Sequence, residues 1–189
     1  MASGSRKKMI EFMKLVKSES QKYSYIQTRL NQLINEGVDQ STQDYGGNTL
    51  LHLAVSLRNE KLLTIFLKMG VRVNLANDNG ETPLHKAIIK DDIKAVNLLI
   101  KHGADLNATC EMEQTGVHIA TIAGNIQMVK CLVESGADYM QLDESNNQPI
   151  DLAIDELDEE LVKYFLSKQV VDEKRLRMIN DLFVFGDED

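Results

Sequence analysis

The chain has 189 residues, 43% of them hydrophobic and 26% charged, enough for one well-packed domain. Its formal net charge of −8 argues against a nucleic-acid ligand, because phosphate binding needs clustered Lys and Arg, and it suits a partner with a basic surface. No apolar run approaches the length of a membrane span, and Cys110 and Cys131 lack metal-type spacing, so composition predicts a cytoplasmic or nuclear protein with no membrane partner.

Met1 to Ser5 reads as an expression scar. Residues 6–43 predict two capping helices, near 7–19 and 24–35. There Leu30, Leu33, Ile34 and Gly37 hold the register that Val96, Leu99, Ile100 and Gly103 hold later. Segment 44–76 contains Thr49-Leu50-Leu51-His52 and a second apolar helix with Leu62, Leu63, Phe66 and Leu67.

Segment 77–109 is the clearest unit. Thr82 offers a helix N-cap oxygen, and Pro83 sits at the first helical position, where a missing N–H costs nothing. Leu84, Ala87 and Ile88 form a stripe at i, i+3, i+4, and Asp91-Asp92 breaks it. Ile93, Val96, Leu99 and Ile100 make a second helix, ended by Gly103 in the left-handed C-cap position.

Segment 110–142 repeats the plan with Thr115-Gly116-Val117-His118, then Ile126, Met128, Val129 and Leu132. Segment 143–169 keeps Pro149, Leu152, Leu161, Val162 and Phe165. It places Asp151 where a histidine stood and Gln169 where a glycine stood, as an end unit facing water would. In 170–189, Leu176, Ile179, Leu182 and Phe183 fall on one helical stripe before Val184-Phe185-Gly186 and an acidic end. That stripe predicts a short helix covering the last unit, with a segment that folds on a partner as the alternative.

Histidines at 52, 85 and 118 and glycines at 37, 70, 103 and 136 all recur every 33 residues. With Thr82-Pro83-Leu84-His85, this period resembles the ankyrin-repeat family, over four repeats and a capping pair up to about residue 169. The resemblance implies an all-α solenoid of stacked helix-turn-helix units joined by β-hairpin-like loops. It also implies structural roles for Thr49, His52, Thr82, Pro83, His85, Thr115 and His118, since the Thr and His of this motif bond backbone of their own and adjoining repeats.

Geometry argues separately against a metal at the histidines. Packed helices lie about 8–10 Å apart, whereas zinc ligands converge within about 2.0–2.1 Å of one ion. Cys131 is expected to be an inert core thiol and Cys110 an exposed one, and His102 has no evident partner. There is no phosphate loop and no Gly-x-Ser-x-Gly elbow, and the carboxylates are spread along the chain. The expectation is a non-enzymatic protein without cofactor or metal.

In ankyrin proteins, partners contact the hairpin tips and the solvent side of the first helices. Carried over, the tip residues are Tyr45, Asp78, Glu81, Glu111, Met112 and Glu144, and the first-helix residues are Leu57, Ile89, Ile122 and Asp155. Leu57, Ile89 and Ile122 are expected to form an apolar row beside carboxylates that increase toward the last repeat. This predicts a monomer that sequesters or scaffolds a basic, partly apolar segment of another protein on a concave surface. The resemblance allows an inhibitor of NF-kappa-B-like or kinase signalling, or a pathogen effector in host cytoplasm. The alternative is the targeting domain of a larger enzyme. Glu113 stands where the family has a turn glycine, which predicts a strained hairpin.

Overall fold

The computed structural model describes residues 2–18, 22–168 and 173–183. Among these residues the chain forms eleven α-helices and no strand. They are α1 (Ala2–Lys17), α2 (Tyr23–Asn35), α3 (Leu50–Ser56), α4 (Glu60–Lys68), α5 (Pro83–Ile89), α6 (Ile93–Lys101), α7 (Gly116–Ile122), α8 (Ile126–Glu134), α9 (Pro149–Asp155), α10 (Glu159–Leu166) and α11 (Glu173–Leu182). A 3-10 turn covers Glu111–Glu113. Met1, Gln169, Val184, Phe185 and Gly186 lie outside the described residues, and α1 starts at Ala2.

Two capping rules recur with the period of the sequence. Helices α3, α5 and α7 follow a threonine in extended backbone, whose N–H donates to Nδ1 of the histidine three residues on, at 3.1, 3.1 and 3.2 Å. Helices α4, α6, α8 and α10 follow Asn59, Asp92, Asn125 and Asp158. Each of these side-chain oxygens accepts an N–H three residues later, at 3.0 to 3.1 Å. Such caps set where helices begin, but helices of seven to nine residues are marginal alone and depend on packing.

That packing divides the chain into two compact units, residues 1–111 and 112–189. In the first, α3 packs on α4 and α5 on α6, the pairs meet through α3–α5 and α4–α6, and α1 and α2 pack on α3 and α4. Its core includes Leu30, Leu33, Leu50, Leu51, Phe66 and Leu99. In the second, α7 packs on α8 and α9, and α9 on α10, around Val117, Met128, Leu132, Ile150, Leu161 and Phe165. Each such side chain contributes about 1.5–3 kcal/mol by leaving water.

Helix α11 buries only half of its expected stripe. Ile179 and Phe183, one turn apart, are buried, while Leu176 and Leu182 flank that line and are 43% and 51% exposed. Cys131 also departs from expectation. It is half-buried rather than in the core, because Met128, Val129 and Leu132 take the inward positions of α8. Cys110 is likewise half-buried rather than exposed.

Candidate partner-binding surface

The threonine–histidine boxes position the hairpins. Nδ1 of each histidine accepts a backbone N–H, so Nε2 carries the proton. It donates to the carbonyl of Glu81 (2.9 Å), Ala108 (3.0 Å) and Asn147 (3.1 Å) from His52, His85 and His118 respectively. Burial pushes all three histidines below their ordinary value, against a smaller upward pull from those carbonyls. They are therefore neutral at pH 7, with both ring nitrogens engaged in tying one hairpin to the helix before it. Among the described residues, no group of three or more His, Cys, Asp or Glu is placed to hold a metal. His102, for which the sequence offers no partner, bonds through Nδ1 to the carbonyl of Leu98 at 2.9 Å.

The fourth box is built differently. Gln148 N–H donates to Asp151 Oδ2 at 2.9 Å, and the carboxylate also receives Arg175 of α11, with Nε–Oδ1 and Nη2–Oδ2 both 2.7 Å. Arg175 Nη1 adds a bond of 2.9 Å to Gln148 Oε1. Arg175 thus meets the box at the place where the histidines would reach a following hairpin. Sequence reasoning missed this residue. The signal was available, since an aspartate in the histidine position calls for a cation, and Arg175 stands one residue before the Leu176 of the terminal apolar stripe.

In the first unit, Tyr45 is 79% exposed at its tip. Arg6 of α1 stacks 5.5 Å from its ring centroid and donates to the carbonyl of Asp44 at 2.8 Å. The tip of the next repeat lies close by, with Asp78 N–H bonded to the carbonyl of Gly46 at 3.1 Å, and the Asp78 side chain is exposed. Ile89 is 49% exposed on α5.

Two expected members do not fit. The Glu81 side chain is only 14% exposed, and its carboxylate bonds Asn77 Nδ2 (2.8 Å) and Lys86 Nζ (3.2 Å). Burial pushes that carboxyl up, but Asn77 and Lys86 outweigh it and hold the group below the usual carboxylate range. Leu57, the C-cap of α3, is half-buried. It is a weak link in the expected apolar row.

In the second unit, Met112 and Ile122 are 54% and 46% exposed, and Glu113, Glu144, Asp155 and Glu156 are exposed. Glu144 N–H bonds the carbonyl of Met112 at 3.0 Å, which brings those two tips together. Met112 (φ 59°) and Glu113 (φ 55°) are both left-handed, an arrangement that disfavours side chains with Cβ. Glu111, at the start of the same turn, is exposed and closes the first unit. Neither cysteine is activated: burial pushes the Cys110 and Cys131 thiols up, and the nearby Glu81 and Glu134 add to it.

A family model described as ankyrin repeats, in three copies, matches residues 23–110, and a single ankyrin-repeat model matches residues 113–144. No curated protein matches the chain.

Proposed function

Because the chain belongs to the ankyrin-repeat family, whose members are generally protein-binding modules without catalytic activity, we propose that it sequesters or scaffolds a basic, partly apolar protein segment. The supporting observation is how charge and exposed apolar side chains are shared between the units. Of 21 Lys and Arg, 15 fall in residues 1–111 and six beyond; of 29 Asp and Glu, 12 and 17 do, so the first unit carries +3 and the second −11. Met112 and Ile122 stand exposed in the acidic unit, beside Glu144 and Asp155. An apolar centre rimmed by one sign of charge suits a cationic amphipathic segment, and the field would speed its encounter. On the first unit, Tyr45, Asp78 and Ile89 are exposed as candidate contacts of their own, while Glu81 is held within the fold by Asn77 and Lys86.

The experiment compares wild type with a Met112→Ser, Ile122→Ser, Glu144→Gln variant as baits, with captured proteins identified by mass spectrometry. A basic protein retained by wild type and lost by the variant, at unchanged helical circular dichroism, supports the reading. Equal retention by both moves binding off this face.

A further inference from the structure

We propose that the pocket between α9 and α11 receives an arginine side chain of the partner. The inference rests on the binding reading above and names the anchor that this face takes.

The pocket measures about 290 Å³, and all of its lining lies in the second unit. Ile154 of α9 and Met178 of α11 supply apolar wall, and Asn146, Asp151, Asp155 and Arg175 supply polar wall. Asp151 and Arg175 form the two-point ion pair described above, so their charges cancel and the pair acts as a fixed polar floor. Asp155 is different. It is exposed and makes no ion pair among the described residues, so it is the uncompensated charge of the pocket.

Apolar walls with one free carboxylate match a side chain that has a hydrocarbon stem and a cationic head. Arginine fits better than lysine, because its planar fork can bond the Asp155 carboxylate at two points and lie against Met178. The charge of −11 on this unit attracts the same class of group. Asp155 occupies the α9 position that Ile122 holds in α7, so the last repeat exchanges an apolar contact for an ionic one.

The pocket depends on α11, which contributes Arg175 and Met178 to its lining. Arg175 fastens α11 to the Gln148–Asp151 box, and Ile179 is fully buried, so α11 is anchored on both sides of the stretch that brings Met178 to the pocket. Helix α11 is therefore a wall of the site as well as an end cover.

The test is a nuclear magnetic resonance titration of the full chain with acetyl-Ala-Arg-Ala-amide and with its citrulline counterpart, which keeps the shape but lacks the charge. The expected result is saturable shifts at the Met178 methyl and the Asp155 and Asn146 amides with arginine, and none with citrulline. Asp155→Asn should weaken binding about tenfold, the loss of roughly one charge-assisted hydrogen bond. Glu134→Gln, an equal change of charge at an exposed residue of α8 that does not line the pocket, should leave binding within about twofold. If Asp155→Asn behaves like Glu134→Gln while the arginine peptide still binds the second unit, the pocket is wrong and the acidic-face reading stands. If neither the arginine peptide nor a longer basic peptide (polyarginine) binds, both readings fail.

Discussion

The two units share their buried chemistry and differ in nearly everything exposed. Both cap first helices with a threonine–histidine box and second helices with Asn or Asp, and both fill the same register with Leu, Val, Ile and Phe. On the surface they separate: the first unit is mildly cationic and clamps its tip tyrosine with Arg6, and the second is strongly anionic. Their end devices differ too. The first begins with a basic helix, α1, that packs on α3. The second ends with α11, tied by Arg175 to a box that has lost its histidine. Repetition therefore constrains what is buried or bonded to backbone, and leaves charge free to be placed by function.

The largest test of this comparison is in the cores. Leu99 and Leu132 are 33 residues apart, both fully buried, one in each unit. Leu99→Ala and Leu132→Ala should each cost about 2–5 kcal/mol in urea unfolding. Amide exchange read helix by helix should show the first loosening α5 and α6 and the second α7 and α8. Equal loosening of every helix by either change would erase the division into two units.

Much of this was legible in the sequence, for a physical reason. Helix starts, the C-terminal glycines and the core stripes are local or periodic, so Thr82, Pro83, Gly103 and Leu99 announce themselves by spacing alone. What stayed hidden depends on contacts across the repeat. Glu81 looks like a free tip carboxylate until Lys86 and Asn77 are seen closing on it, and Leu57 looks exposed but is half-buried at the end of α3. Arg175 lies 24 residues from Asp151, beyond the reach of any helical pattern. The pocket it helps to build was correspondingly invisible.

A smaller effect separates the units by pH. The folded values of His52, His85 and His118 lie below the ordinary 6.5, so the unfolded chain binds more protons as the medium becomes acidic. Stability from these boxes is complete above about pH 6.5 and is lost as pH falls through the folded values. Two of the boxes are in the first unit and one in the second, whose other box, Gln148–Asp151, contains no histidine. Calorimetry at pH 7.5 and 5.5 should show a lower Tm at 5.5, by roughly 2–4 °C for each kcal/mol lost. Amide protection should fall more at α3 and α5 than at α9. A Tm that rises on acidification would contradict the neutral assignment of the ring nitrogens.

The smallest effect concerns one turn position that recurs at Gly47, Gly80, Glu113 and Asn146, all with positive φ. In the first unit, Gly80 leaves ordinary room for a Cβ, 3.4 Å from Cys110 Cα, but Gly47 does not. A Cβ on Gly47 would lie 2.5 Å from Asp78 Oδ1 and 2.6 Å from its backbone nitrogen, so Gly47→Ala adds a clash to the cost of left-handed backbone, about 1–2 kcal/mol from the backbone alone. In the second unit Glu113 holds the same conformation and Met112 beside it does as well, so Glu113→Gly should stabilise by about 0.5–1 kcal/mol, read as a higher urea midpoint. A glutamate at a position that glycine fits better has no reason within the fold, and the proposed binding face offers one through the charge it adds beside Met112. Glu113→Gly should therefore raise stability and weaken capture of a basic partner together. A variant that gains stability and binds as well as wild type would make the turn a tolerated imperfection, and would leave Met112 and Ile122 to carry that end of the surface.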